Sequence, residues 1–350
     1  EKLTLFWHGH FATSASKVTD ADLMFRQNAL LRKHALSAFG PLLTEAAKDP
    51  AMLLWLDSTT NHKSKPNENF AREVMELFSL GVGNYTERDI KEVARAFTGW
   101  ELRNKRFFLN RPQHDTGAKS VLGRTGDLDG DAVLAILLEQ PAAGRFLVRK
   151  LFRYFVSETA NPSDALLEPL ASGYRQRGFD TAWLVKSLLG SNLFYSPHAM
   201  RQRIKSPVEL VIGLLRSVEG TANMYALAED LRQLGQGVFY PPNVKGWDGG
   251  PEWINSAGLL ARANLVWGLV SGTEGRLKSK VSLAELAARH AIPSGADGVR
   301  WWANLLLGTQ APAEIFVQLT ALAGDTSGDK SQRLARLVQA IVTLPEYQLA

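Results

Sequence analysis

The chain has 350 residues, 45% of them apolar and 21% charged, which is typical of a globular protein and excludes a disordered or fibrous one. Its 40 Lys and Arg against 35 Asp and Glu leave a net charge of +5. The densest basic run, 201–205, has no aromatic residue for base stacking, so we expect no nucleic-acid partner. The absence of cysteine excludes disulfides, thiolate metal sites and cysteine nucleophiles, and no apolar run reaches the ~18 residues of a membrane span.

Taken in chain order, the apolar residues recur mostly at helical spacing. The spacing predicts helices over about 20–36, 42–56, 67–80, 86–97, 131–138, 142–157, 166–177, 182–190, 207–218, 225–234 and 255–270, followed by a helical C-terminal part. Pro50 is expected to divide the second of these helices. Thr86 with Asp89 three residues later is typical of a capping box at the start of the fourth.

Two long segments, 101–126 and 235–253, lack helical period and are rich in Gly and aromatic residues. Within the first, residues 106–109 predict a short strand. Loops of this length in a compact protein are usually functional. We therefore predict an all-α fold: a single large multi-helical domain over 1–350, with two long structured loops that meet on one face and at most a short β-hairpin.

Several long motifs carry a resemblance to one known family. In chain order they are FWHGHF at 6–11, PNENFAREVMELF at 66–78, YTE at 85–87, FTGW at 97–100, HD at 114–115, SPVEL at 206–210, PPNVKGW at 241–247, WINS at 253–256 and LPEY at 344–347. Over its whole length the chain resembles the bacterial "domain of unknown function 1800" family.

The resemblance implies an exported bacterial protein, periplasmic or secreted, often encoded beside a sulfatase-like protein. It also implies a further N-terminal stretch with an export signal ahead of Glu1, so that 1–350 would be the C-terminal majority of a longer protein. One departure is Gly9, where relatives often carry Asn. The family's activity is not established, so the resemblance assigns no catalytic residue.

His8 and His10 are two residues apart. On a strand the two imidazoles would face the same side and offer two nitrogens to one metal ion. On a helix they would diverge by about 200° and could not chelate together. The alternative is a pair of histidines hydrogen-bonded at the edge of the core.

The helix predicted over 67–80 has a polar face that contains Glu68, Arg72, Glu73 and Glu76. Because Glu68–Arg72 and Arg72–Glu76 are both spaced i,i+4, a solvated ladder of ion pairs is one interpretation. The other is functional, since three carboxylates on one arc can bind a divalent cation or supply a general base.

His114 and Asp115 lie in the first irregular segment. A histidine beside an acid is a candidate general base or a further metal ligand. Adjacent side chains seldom orient each other directly, so a structural role is the alternative.

Lys245, Trp247 and Trp253 lie in the second irregular segment. A rigid loop that presents indole rings can stack on sugars and attract cations. The alternative is that these aromatic side chains fill the space between helices.

Together these motifs favour a metal-assisted hydrolase that acts on an extracellular or periplasmic polymer such as a polysaccharide. In this hypothesis a divalent metal ion is bound by His8 and His10. The catalytic residues are Glu73, Glu76, His114 and Asp115. The substrate is bound by Arg72, Lys245, Trp247 and Trp253. The competing hypothesis is a non-catalytic binding or scaffold partner of a sulfatase-like protein. In either case we expect a monomer.

Overall fold

The computed structural model describes residues 1–325 and 327–350, which residue contacts divide into two compact units. Unit 1 comprises Glu1–Ala199 and Val238–Asp248, and unit 2 comprises Met200–Gly237 and Gly249–Ala350. Each unit has its own large cluster of buried apolar side chains. The single domain expected over 1–350 stays a prediction.

The all-α fold class is confirmed. The chain is 58% helical, and the residues described form only two small antiparallel sheets of two strands each. The helices of unit 1 are α1 (Lys2–His10), α2 (Ala21–Lys33), α3 (Phe39–Ala47), α4 (Pro50–Trp55), α5 (Glu68–Glu73), α6 (Glu87–Ala96), α7 (Gly130–Glu139), α8 (Pro141–Phe155), α9 (Asp164–Gln176) and α10 (Thr181–Leu189). A π-helix, Val74–Ser79, continues directly from α5.

The sheets lie within the first of the two segments that lack helical period. Strand β1 (Trp100–Arg103) pairs antiparallel with β2 (Arg106–Leu109), and β3 (Lys119–Val121) pairs antiparallel with β4 (Arg124–Gly126). The strand predicted over 106–109 is therefore confirmed as β2. The hairpin β3–β4 is present in addition to the single short hairpin that was expected.

Local capping signals position several helices as predicted. Pro50 lies in the first turn of α4, so the helix expected over 42–56 is divided into α3 and α4. Thr86 caps α6 in a capping box, because its side chain accepts from Asp89 N while the Asp89 carboxylate accepts from Thr86 N. These signals are local in sequence, which is why they could be recognised without the tertiary structure.

Unit 2 is also helical. Its helices are α11 (Pro207–Ser217), α12 (Met224–Gln233), α13 (Ser256–Ser271), α14 (Leu283–Arg289), α15 (Gly295–Leu307), α16 (Ala313–Ala323), α17 (Lys330–Thr343) and α18 (Pro345–Gln348). Apolar side chains from α11, α13, α15 and α17 make up most of its core, in which Trp302 is 1% exposed. Among residues 1–325 and 327–350 no helix is both long enough and apolar enough to cross a bilayer.

Asp49 is a buried carboxylate that begins α4 in unit 1. It is 3% exposed, and its Oδ2 accepts from Met52 N at 3.0 Å and from Gln27 Nε2 at 2.8 Å. Burial raises the pKa of Asp49 to about 6, although both hydrogen bonds favour the charged form. The charge on this helix cap therefore destabilises the folded state at neutral pH.

We predict that Asp49→Asn stabilises the protein at pH 8 and does so progressively less towards pH 4. The folded pKa is about 6 and the ordinary value 3.8, so the cost of the charge is absent below pH 3.8 and fully present above pH 6. This cost of the charge, in free energy of unfolding, corresponds to about 3 kcal/mol above pH 6. Asn keeps one oxygen that can accept both hydrogen bonds, and urea unfolding at the two pH values measures the effect. A difference between variant and wild type that does not change with pH would contradict it.

Candidate functional site

The predicted helix over 67–80 changes type in its middle. Asn67 caps α5 by accepting from Asn69 N, and Phe70 and Val74 are buried on its apolar side. From Val74 to Ser79 the helix is π, with Leu80 N donating to Met75 O at 2.9 Å, five residues back. Such wide turns are rare and occur frequently at functional sites.

The wide turn divides the expected ladder of ion pairs. The Arg72 guanidinium donates to Glu68 at 3.4 Å, as the i,i+4 spacing predicts. Its two stronger bonds, both 2.9 Å, form a fork with the carboxylate of Glu87 on α6, and they lower the pKa of Glu87. Arg72 forms no ion pair with Glu76 within the described part of the chain, since residue 76 lies in the π-turn and is displaced from the α-helical register.

Glu76 is instead bound by a residue that the sequence analysis did not consider for the site. Tyr85 Oη donates to Glu76 Oε2 at 2.8 Å. Burial, and next this bond, raise the pKa of Tyr85, so the hydroxyl keeps its proton and remains a donor. The only signal in the sequence was the position of Tyr85 in a family motif, which says nothing about its partner.

Glu73 lies half-buried beside this pair. Burial, and next the charge of Glu76, raise the pKa of Glu73, while Arg72 lowers it. Among residues 1–325 and 327–350, the Glu73 carboxyl group takes part in no hydrogen bond or ion pair. The site thus holds two nearby carboxyl groups in different environments. Glu76 accepts a hydrogen bond from Tyr85, whereas the pKa of Glu73 is raised.

His8 and His10 lie on a helix, the case in which the sequence analysis expected no joint chelation. His8 Nε2 is 3.0 Å from Asn28 Oδ1, and His10 Nε2 is 3.1 Å from Phe78 O. Both rings are buried, at 6% and 2% exposure. They therefore match the alternative interpretation of hydrogen-bonded core histidines, and a metal role for either one stays a prediction.

Burial also sets the charge of these rings. It lowers the pKa of His8 against the opposing effect of the bond to Asn28, and it holds the pKa of His10 well below its ordinary value. His10 is neutral near pH 7 for this reason. With Nε2 donating to Phe78 O, its Nδ1 is left as a buried acceptor without a partner in the part of the chain that the structure describes.

Lys150 on α8 approaches the same end of the π-helix. Its Nζ donates to Leu77 O at 3.3 Å, one residue before the carbonyl that binds His10. Burial, and next the charge of Arg153, lower the pKa of Lys150 to about 7. No sequence signal distinguished this lysine from its basic neighbours on α8, because its burial depends on contacts between distant elements.

His114 and Asp115 do not bind each other. His114 Nδ1 is 2.8 Å from Thr98 O, whereas the Asp115 carboxylate accepts from Arg95 at 2.7 and 3.2 Å and from Gly117 N. The bonds from Arg95 lower the pKa of Asp115. Asp115 thus binds Arg95 and the backbone of its own loop after β2. It does not orient His114.

One histidine–acid contact near this loop was not predicted. His62 Nε2 lies 3.3 Å from Glu101 Oε1, which also accepts from Asn110 Nδ2 at 2.9 Å. The pair joins residues 39 positions apart, so no local motif could indicate it. Within residues 1–325 and 327–350 no three His, Asp or Glu side chains lie close enough together to hold a metal ion.

Lys245 and Trp247 belong to the 238–248 segment of unit 1. Lys245 is exposed and pairs with Asp248 at 3.0 Å. Trp247 is half-buried, and its Nε1 is enclosed without a hydrogen-bond partner in the described chain. Gly246, at φ +84°, rests on α1 so closely that a Cβ would lie 2.3 Å from Gly9 O, and this contact holds the indole over Gly9.

Trp253 lies in unit 2, in a short 3₁₀ helix, Gly250–Trp253. It is 8% exposed, and its ring packs near Gly235, whose Cβ would lie 3.7 Å from it. A buried ring offers no face for stacking on a sugar. The packing interpretation therefore fits Trp253 better than the predicted substrate-binding role.

The fold and the cluster around Glu73 define a mainly α-helical protein with a carboxyl pair at a π-turn. Residues 1–349 match the family described as "Protein of unknown function (DUF1800)". The chain belongs to this family. Comparison with curated proteins and with solved structures finds no match.

We predict that Gly246→Ala destabilises the protein much more than Gly83→Ala. Both glycines have nearly the same φ, +84° and +86°, but a Cβ at Gly83 meets nothing within 4 Å. Gly83→Ala should cost about 1–2 kcal/mol for the left-handed backbone alone. Gly246→Ala should cost a further ~1–3 kcal/mol because the segment must move away from Gly9. Urea unfolding of both variants measures this, and equal losses would show that the close approach is unimportant.

Proposed function

We propose that the chain is a hydrolase whose active site contains Glu73, Glu76 and Tyr85 and that uses acid–base chemistry. The observation that carries the proposal is the raised pKa of Glu73 beside the carboxylate of Glu76. Pairs of carboxyl groups whose environments separate their pKa values are typical of sites that need an acid and a base together. The substrate we propose is a polymer such as a polysaccharide, outside the cytoplasm in the periplasm or the medium.

In this proposal Glu73 is the general acid and Glu76 the general base. Glu73 gives its proton to the leaving oxygen as the glycosidic bond breaks, and Glu76 takes a proton from the attacking water. The water supplies hydroxyl to one fragment, and the pair regains its starting protonation by exchange with solvent. Tyr85 orients Glu76 through the 2.8 Å bond.

Arg72 positions the site in this proposal. Its fork is occupied by Glu87 and Glu68, which leaves little of the guanidinium for a substrate. Lys245, which is exposed, and Trp247, which is half-buried, lie in the 238–248 segment of the same unit and remain the proposed contacts for a polymer. His114, whose Nε2 has no hydrogen bond among the described residues, is a further proposed participant.

Glu73→Gln should lower the rate of hydrolysis at least about 100-fold, the usual contribution of a general acid. A panel of polysaccharides, assayed for new reducing ends, provides the measurement. Tyr85→Phe should lower the rate about tenfold through the lost orientation of Glu76. Glu45→Gln is the matched control, because Glu45 is an exposed glutamate of the same unit.

The pH profile tests the assignment of the acid. In wild type the rate should fall as pH rises through the raised pKa of Glu73, since the proton is then lost. Folding stability should fall over the same range, because the charged form is disfavoured in the folded state. Glu73→Gln should be at least as stable as wild type at pH 7, so that loss of activity with intact folding assigns the chemistry. Activity that survives in Glu73→Gln would refute the proposal.

Metal assistance is tested on the same samples by elemental analysis after dialysis, with His8→Ala/His10→Ala for comparison. Near-stoichiometric zinc, manganese or calcium that is lost in the double variant, together with activity abolished by EDTA, would replace the metal-free acid–base scheme with a metal-assisted one. Activity that resists EDTA supports the scheme with Glu73 and Glu76.

The second candidate function is a non-catalytic partner of a sulfatase-like protein. The observation in its favour is that several groups first considered for catalysis are engaged elsewhere: Asp115 with Arg95, His8 with Asn28, and Trp253 in the core of its unit. This candidate predicts no hydrolysis by any variant and a stable complex when the two proteins are mixed. Size-exclusion chromatography of the mixture measures the complex.

A further inference from the structure

Unit 2 contains a buried arginine without an acidic partner. Arg262 on α13 is 1% exposed. It donates from Nη1 to Gln348 Oε1 and from Nη2 to Lys205 O, each at 3.0 Å, and both acceptors are neutral. Its Nε is buried and has no partner within residues 1–325 and 327–350, and no carboxylate of that part of the chain forms an ion pair with it.

A charge of this kind is normally compensated. Guanidinium carries five N–H donors and stays charged in proteins. Burial lowers the pKa of Arg262 to about 10, which still leaves it cationic at neutral pH. Another buried arginine of the same unit has an acidic partner: Arg203, 5% exposed, pairs with Glu209 at 3.2 Å.

Arg262 also lines a cavity of about 130 Å³. The other lining residues are Leu210, Leu259, Ala263, Val266, Val342, Thr343 and Gln348. Most of the wall is thus aliphatic, with the polar groups at few points. The volume is close to the ~150 Å³ of an engineered protein cavity that holds benzene, so a ligand with about six heavy atoms can be accommodated.

We propose that this cavity binds a short aliphatic carboxylate, whose charged end pairs with Arg262 and whose chain lies against the aliphatic wall. A carboxylate matches the planar donor fork of arginine. Phosphate or sulfate would instead place several charged oxygens against a wall that is mostly aliphatic. Leu259, 44% exposed, and Thr343, also exposed, are the points at which the lining reaches solvent. The inference is independent of the function proposed for the site around Glu73.

Isothermal titration of the 350-residue protein with sodium isovalerate tests the proposal, at constant ionic strength. We expect saturable binding with one site, and binding at least tenfold weaker for isovaleramide, which has the same shape without the charge. Sodium phosphate is titrated in parallel and should bind at least tenfold more weakly than isovalerate. Arg262→Met should abolish binding of isovalerate.

Arg262→Met also removes the hydrogen bonds to Lys205 and Gln348 and can lower the folded population, so a second variant is needed. Ala263→Phe fills the cavity and leaves Arg262 in place. Ala261→Phe is the matched control, because Ala261 is an exposed residue of the same helix that does not line the cavity. Circular dichroism establishes that each variant is folded.

The expected result is that isovalerate binds wild type and Ala261→Phe alike and binds Ala263→Phe at least tenfold more weakly. Three results would overturn the proposal. The first is no binding of isovalerate to folded wild type, and the second is equal binding to Ala263→Phe. The third is equal or tighter binding of isovaleramide or phosphate, since a carboxylate site must prefer the carboxylate.

Discussion

Most residues of helix α1 are buried, and its apolar side chains belong to the main core cluster of unit 1. Trp7 is fully buried and donates from Nε1 to Ala35 O at 3.0 Å. Rings from several other elements surround His10. The 238–248 segment approaches the helix at Gly9, where a Cβ on Gly246 would lie 2.3 Å from the carbonyl oxygen. In a helix packed in this way, the buried polar side chains must take their partners from within the protein, and His10 Nδ1 is left without one among the described residues.

That constraint explains why the two histidines of α1 have different partners. A helical separation of two residues turns their rings about 200° apart, so each meets a different neighbour: Asn28 for His8 and Phe78 O for His10. The second bond joins α1 to the π-helix. Lys150 reaches the neighbouring carbonyl of Leu77, so the end of the π-helix is held by two side chains from two other helices. Carbonyls at a helix end need such donors.

The π-turn also separates Arg72 from the carboxylate of Glu76, four residues later in the chain. In a regular α-helix the Arg72–Glu76 pair would have continued the ladder from Glu68. Here Arg72 turns to Glu87, Glu76 is bound by Tyr85, and Glu73 lies between them with a raised pKa. Burial, and next the charge of Glu76, raise the pKa of Glu73, and in the described part of the chain the π-turn leaves Glu76 without an ion pair to Arg72.

Unit 2 shows the opposite arrangement at Arg262, where the backbone is regular and the charge is unusual. The guanidinium joins α13 to Lys205 O and to Gln348 of α18, so it has a structural role whether or not an anion is bound. Neutral acceptors satisfy hydrogen bonds but do not compensate a net charge in a region of low dielectric constant. That difference sets Arg262 apart from Arg203, whose buried charge is balanced by Glu209.

The sequence by itself determined the helical class, the capping box at Thr86, the division at Pro50, the strand at 106–109 and the family. These depend on interactions between residues close in the chain, on apolar period, or on long motifs, all of which can be read locally. It also identified the face around Glu73, but as two open alternatives. Only the tertiary structure decided that α1 is a helix, that Arg72 pairs with Glu87 and that Tyr85 binds Glu76. It also decided that Trp253 and Arg262 are buried and that Lys150 is half-buried. Burial and the charge of distant neighbours set these outcomes, and neither is encoded in the spacing of residues along one helix.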